Sequence, residues 1–75
     1  MPGTVYTRVD NVAYSNGWTR TDLENGGYRL TSTGGENADA TIHRDPPSAD
    51  VTLEDAPAGT TITVTGGGVA DVNQP

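Results

Sequence analysis

The sequence predicts an all-β fold, a small antiparallel β-sandwich or partial jelly roll of six or seven short strands. Three observations support this prediction. Clusters of Gly, Asn and Pro divide the 75 residues into segments that are too short for helices. Several segments alternate polar and apolar residues, which is the periodicity of a β-strand. Threonine, which favours strands, occurs twelve times and is the commonest residue type.

The clearest strand is predicted at residues 60–65, where threonines alternate with two aliphatic residues. Residues 51–55 precede it across an Ala-Pro-Ala-Gly turn, so the two segments are predicted to pair as a hairpin. A second hairpin is predicted from residues 28–32 and 38–43, joined by a loop at residues 34–35. The residues expected to face inward are Val51, Leu53, Ile62, Val64, Tyr28, Leu30, Ala38, Ala40 and Ile42.

The two ends of the chain have less regular patterns. Short strands are predicted at residues 5–9, 12–14 and 18–21. Residues 1–65 are assigned to a single β domain. Residues 66–75 begin with three glycines and are predicted to form a flexible tail with an apolar hook at Val69 and Val72.

The apolar core of such a domain is thin. Leu, Ile and Val together number twelve and Phe is absent, a share low enough to approach that of disordered chains. Small domains in this position are commonly stabilised by disulfides, a structural metal or a partner. The chain has no cysteine, and His43 alone cannot form a closed zinc site, so no metal or other cofactor is expected. Association with a protein partner or with further copies of the chain is the remaining source of stability.

The charge distribution restricts the possible partners. The net charge is −6, all four bases are arginines, and residues 45–75 contain five acids and no base. A nucleic-acid ligand is not expected, because phosphate binding requires clustered Lys or Arg. No segment approaches the ~20 apolar residues of a membrane span, and the first ten residues do not resemble a signal peptide. We therefore expect synthesis in the cytoplasm and no membrane partner, with a virus particle as a compatible destination.

Enzymatic activity is not expected. The single histidine, His43, lies in a predicted strand, and no Gly-x-Ser-x-Gly nucleophile motif is present. A solvent-facing or Asp-paired imidazole is favoured for His43 over a catalytic role. Two acidic loops, centred on Asp22 with Glu24 and on Glu36 with Asp39, contain oxygen ligands suited to calcium. Solvated turn residues are the favoured interpretation of both loops.

The aromatic residues allow two interpretations. With no Phe available, Trp18 is favoured as a core residue because it is the largest apolar side chain present. Exposed beside an arginine, it would instead anchor a protein surface or stack on a sugar ring. The residues predicted to bind a partner are Trp18, Tyr28, Arg20, Arg29, Val69 and Val72.

Residues 12–42 resemble the opening strands of jelly-roll accessory domains of the galactose-binding-like type. In that family a Tyr-Ser-x-x-Trp element precedes a Gly-Gly-Tyr strand and a strand of small residues that enters the core. The matching residues here are Tyr14, Ser15 and Trp18, then Gly26, Gly27 and Tyr28, then Ala38, Ala40 and Ile42. The resemblance covers under half of the chain and leaves the later strands of such a domain without a counterpart, which implies strands or surfaces supplied by a neighbour.

In size, lack of cysteine and richness in Gly and Thr, the chain is also similar to the decoration and minor structural proteins of tailed bacteriophages. The predicted function is that of a non-enzymatic accessory structural protein. It would dock on a larger assembly such as a phage capsid, as a homo-oligomer or in many copies. The alternative is a carbohydrate-binding β-sandwich module, in which an exposed Trp18 or Tyr28 stacks on a sugar.

Overall fold

Eight antiparallel strands form the fold. The computed structural model describes residues 3–34 and 36–75. The strands are β1 Thr4–Tyr6, β2 Val9–Tyr14, β3 Trp18–Asp22, β4 Tyr28–Ser32, β5 Ala40–Arg44, β6 Val51–Leu53, β7 Thr61–Val64 and β8 Ala70–Asn73. The helical segments of this part of the chain are two single 3₁₀ turns, at Glu24–Gly26 and Pro47–Ala49. The predicted all-β fold is confirmed, although the prediction of six or seven strands was too low.

The strands form two sheets that enclose the core, as in a small β-sandwich. The larger sheet has five strands in the order β1-β8-β7-β4-β3, and the smaller sheet has three in the order β2-β5-β6. Both predicted hairpins were wrong, because β4 and β5 belong to different sheets, as do β6 and β7. Alternation indicates which side chains face inward, but it does not specify the neighbouring strand. Gly35, in one of the predicted hairpin loops, lies outside the described residues.

The core between the sheets is made mainly of small side chains. Its buried members are Val9, Val12, Trp18, Leu30, Ala38, Ala40, Ile42, Ala56, Ile62, Val64, Ala70 and Val72. Tyr6, Tyr28, Val51 and Leu53 are partly buried against it. The accessible surface is 4417 Å², close to the roughly 4,400 Å² expected for a compact monomer of this mass. The chain by itself therefore reaches the compactness of a self-contained domain despite its thin core.

The predicted tail at residues 66–75 was wrong for residues 70–73, which form β8. This strand lies between β1 and β7 in the larger sheet. Ala70 and Val72 alternate with polar residues and face the core, so the segment has the periodicity of a half-buried strand. The preceding glycines form the turn between β7 and β8, where Gly68 adopts a φ of 81° and its N–H donates to the carbonyl of Thr65 over 3.2 Å.

The strand predicted at residues 5–9 is divided between the two sheets. Arg8 has a positive φ of 58°, which turns the chain out of β1 and into β2. The carbonyl of Arg8 accepts a hydrogen bond from the N–H of Asp45 at 3.0 Å. The carbonyl of Thr7 accepts one from Nε of Arg44 at 2.9 Å. These bonds hold the crossing between the sheets at a fixed place.

Candidate docking surfaces

The outer face of the larger sheet carries two rows of side chains. In the first row, Thr19, Thr31 and Thr61 are direct neighbours on three adjacent strands, and Asn73 extends the row onto β8. The second row consists of Val5, Asp71, Thr63, Arg29 and Thr21. Direct partners in an antiparallel sheet point to the same face, which here is opposite to that of the buried core residues of the same strands. We call these two rows the threonine face.

The threonine face combines exposure with limited side-chain freedom. Thr19, Thr21 and Arg29 are exposed, and Thr31, Thr61 and Thr63 are half-buried. Threonine is β-branched, so its side chain is stiff on a strand. At the centre, Nε of Arg29 donates a hydrogen bond to Oγ1 of Thr63 over 3.2 Å. Asp71, with the opposite charge, follows Thr63 in the same row.

A second polar cluster lies at the rim of the larger sheet formed by β3. The guanidinium carbon of Arg20 lies 4.3 Å from the centroid of the Tyr28 ring, a cation–π arrangement. Nε of Arg20 donates to Oδ1 of Asp22 over 2.8 Å. This bond to Asp22, together with the neighbouring Tyr14, raises the pKa of Arg20. The structure thus brings together two of the predicted partner-binding residues, Arg20 and Tyr28, and places Arg29 on the threonine face.

Trp18 and Val72 lie in the core instead of on a docking surface. Trp18 is 7% exposed, and its Nε1 donates to the carbonyl of Asp39 over 3.1 Å. Of the two roles left open by the sequence, the core position is the one that the structure shows. Val72 is also 7% exposed because it faces inward from β8, and Val69 is half-buried just before that strand. The apolar hook expected for the end of the chain is therefore part of the fold.

His43 belongs to a polar network that joins β5 to the turn before β6. Its Nδ1 lies 2.9 Å from Oδ2 of Asp50, so the imidazole is paired with an acid. Oδ1 of Asp50 accepts the backbone N–H of Arg44 at 2.7 Å. The hydrogen bond from Arg44, followed by that with His43, lowers the pKa of Asp50. Arg44 also donates to the carbonyl of Ala49, so the network holds this corner of the smaller sheet.

A shallow groove of about 290 Å³ lies beside the ends of β2 and β5. Its lining residues are Ala13, Tyr14, Ser15, Asp39, Ala40 and Thr41. Tyr14 is 39% exposed. The N–H of Asp39 donates to Oγ of Ser15 over 2.9 Å, and Oδ1 of Asp39 accepts from the N–H of Asp55 over 2.9 Å. These bonds hold Asp39 in place, so the groove is lined by an exposed carboxylate as well as by an exposed aromatic ring.

Among residues 3–34 and 36–75, no group of three or more His, Cys, Asp or Glu side chains is arranged to hold a metal ion. Within the same part of the chain, no helix has the length and apolarity needed to cross a membrane. Comparisons with models of known protein families, with curated proteins and with solved structures each find no match. The two resemblances drawn from the sequence therefore stay predictions.

The threonine face was not predicted from the sequence. Thr31, Thr61 and Thr63 alternate with buried residues along their strands, and that alternation was a usable signal for their outward direction, whereas Thr21 lies among exposed polar residues. Their assembly into rows depends on the strand order β7-β4-β3, which places distant segments side by side. No local pattern in the sequence reports this order.

Proposed function

We propose that this chain is a non-enzymatic accessory structural protein that attaches to a larger protein assembly through the threonine face. The observation that carries the proposal is the threonine face itself, in which short, stiff side chains lie in rows across the larger sheet. Such side chains lose little rotamer freedom when they dock, and the loss of rotamer freedom is one of the main costs of forming an interface. Each threonine offers a methyl group for contact and a hydroxyl for hydrogen bonding. A flat partner surface fits these properties better than a small molecule, which requires a concave site.

Arg29 is the residue we expect to contribute most to docking. It lies at the centre of the face, between Thr21 and Thr63 in the second row. Arginine is enriched among the residues that dominate binding energy at interfaces, particularly near their centres. Its bond to Thr63 presets the direction of the side chain before a partner arrives. The charge of Arg29 favours an acidic or strongly polar patch on the partner.

The assembly that we propose is the capsid or tail of a tailed bacteriophage. The small size, the absence of cysteine and the richness in Gly and Thr support this setting. The net charge of −6 would keep a particle coated with many copies soluble. The compact fold of the single chain would allow each copy to fold before it attaches.

Site-specific photo-crosslinking tests the proposal. A photoreactive amino acid is placed at Thr63 on the threonine face or, as a control, at Thr52, an exposed threonine on β6 of the smaller sheet. Both variants are expressed in the cells in which the chain occurs. We expect a protein adduct of defined mass from position 63 and none from position 52. Adducts from position 52 alone, or from neither position, would contradict docking through this face.

Carbohydrate binding is the second candidate, and the groove beside Tyr14 is the observation that favours it. Sugar binding combines an aromatic surface with carboxylate and hydroxyl groups, and Tyr14, Asp39 and Thr41 supply these in one groove. The version predicted from the sequence is disfavoured, because Trp18 is buried and Arg20 covers the ring of Tyr28. Glycan-array binding that is lost in Tyr14→Ala and retained in Thr63→Ala would support this function over docking through the threonine face.

A further inference from the structure

Strand β3 is one rim of the larger sheet, and half of its backbone groups point away from the neighbouring strand. The N–H of Thr33 donates to the carbonyl of Gly17, and the N–H of Leu23 donates to that of Gly27, each over 2.8 Å. In an antiparallel ladder the residues that bond to the partner strand alternate with those that do not. Residues 19 and 21 therefore bond to β4, and Arg20 and Asp22 direct their N–H and C=O groups outward.

The other edge strands have fewer free backbone groups with which an added strand could pair. Two outward N–H groups of β2 are used within the fold, since Val9 donates to the carbonyl of Gly68 at 2.9 Å and Val12 donates to Oη of Tyr28 at 3.3 Å. Strands β1 and β6 have three residues each, whereas β3 has five. Among the described strands, β3 is therefore the longest one with an open edge.

The side chains of this edge have opposite charges two residues apart. Arg20 and Asp22 lie on the same face of β3, with 46% and 77% of their side-chain surface exposed. Charged residues on an edge strand commonly prevent pairing with other chains. Here the two signs make the edge complementary to itself. When a second β3 runs antiparallel with Thr21 opposite Thr21, each Arg20 lies opposite an Asp22.

We propose that the partner of this edge is a second copy of the chain, paired through β3 about a twofold axis at Thr21. In this register Arg20 and Asp22 of one copy exchange both backbone hydrogen bonds with Asp22 and Arg20 of the other. The larger sheets of the two copies join into one continuous sheet. This inference rests on the proposed function, because the joined sheet presents the threonine faces of both copies on the same side, as one docking surface of twice the width.

The pairing is weak in dilute solution. A single strand from each copy buries less surface than the roughly 1,200 Å² of a stable interface, which places the dissociation constant at about 10 µM to 1 mM. On a particle, neighbouring copies are held at a high effective concentration, so a weak contact is sufficient there.

Charge exchange across the edge tests the proposal by analytical ultracentrifugation over a range of concentrations. Arg20→Asp places acid opposite acid, and Asp22→Arg places base opposite base, so each variant alone is expected to lose at least about tenfold in dimer affinity. A mixture of the two variants pairs every Asp with an Arg, and we expect it to form the heterodimer with restored affinity. Arg8→Asp, which changes the net charge as Arg20→Asp does but lies in the exposed turn between β1 and β2, is expected to dimerise as the wild type does.

Three results would overturn the inference: a wild-type chain that is monomeric up to about 1 mM, variants that dimerise as the wild type does, or a mixture that stays monomeric. Recovery in the mixture also shows that both variants fold. Crosslinking at Thr63 reports on docking independently of dimer formation. If the chain is monomeric but still crosslinks through Thr63, the proposed dimer is wrong and the proposed function still stands.

Discussion

The two sheets of this domain differ in what their polar side chains do. In the smaller sheet, His43, Arg44 and Asp50 bond to one another and to nearby backbone, and hold the corner where β5 meets the turn before β6. In the larger sheet, the outward side chains form open rows in which the hydrogen bonds given by the structure are those of Arg29 to Thr63 and Asn73 to Asp71. The smaller sheet uses its polar groups for stability, and the larger sheet leaves them available to a partner.

The two sheets also differ in how the backbone groups at their edge strands are used. In strand β2 of the smaller sheet, two outward N–H groups donate to Gly68 and Tyr28, both of which belong to the other side of the sandwich. Strand β3 of the larger sheet keeps Arg20 and Asp22 exposed. The smaller sheet is thus closed toward the rest of the fold at β2, and the larger sheet is open at β3. The difference supports the proposal that the larger sheet carries the interaction surfaces.

The largest expected effect is a difference in stability between substitutions on the two faces of β7. Ile62→Ala removes a fully buried side chain from a core of few large residues and is expected to cost about 2–5 kcal/mol of unfolding free energy. Since a domain of this length is stable by only about 4–11 kcal/mol, much of the population would unfold on mild heating. Thr61→Ala, one residue away on the outer face, is expected to cost no more than about 1 kcal/mol. Urea denaturation followed by circular dichroism measures both values, and equal losses would contradict the assignment of faces.

The second expected effect is a difference in Tm between substitutions of two acids, Asp50 beside the smaller sheet and Asp71 in the larger sheet. Asp50→Asn weakens the charge-assisted bonds to Arg44 and His43, so we expect it to lower the Tm more than Asp71→Asn does. The folded state lowers the pKa of Asp50 below its ordinary value of 3.8. The contribution of Asp50 to the free energy of unfolding is therefore fully present above pH 3.8. The contribution is lost as the pH falls through the lowered pKa.

Calorimetry at a series of pH values measures this contrast. The Tm difference between the wild type and Asp50→Asn should shrink as the pH falls below about 3.8. A difference that grows on acidification, or a Tm loss no greater than that of Asp71→Asn, would show that Asp50 does not stabilise this corner.

The sequence predicted the fold class and most of the inward-facing residues, and it failed on strand neighbours. Ile62 and Leu30 were correctly assigned to the core because alternation along one strand determines which face a residue occupies. The hairpins were wrong because the chain crosses between sheets after β4 and after β6, a choice made by packing of distant segments. Strand β8 was missed because three consecutive glycines suggested the start of a tail, although they form a turn.

The candidate surfaces were predictable in part. Tyr28 and Arg20 were each predicted to bind a partner, but their contact with one another across adjacent strands was not predicted. The threonine rows depend on β7, β4 and β3 lying side by side, which is a property of the whole sheet. Residue types on each strand were visible in the sequence, and their neighbours on the next strand were not.

The central claim is that the larger sheet, and not the smaller one, carries the interaction surfaces. Amide hydrogen exchange tests it most directly when the chain isolated in its native assembly is compared with the recombinant chain alone. We expect exchange in the assembly to slow in β3, β4 and β7, which carry the threonines of the threonine face and the open edge, and to stay unchanged in β6. Slowing confined to the smaller sheet, or equal exchange in the two samples, would contradict the claim.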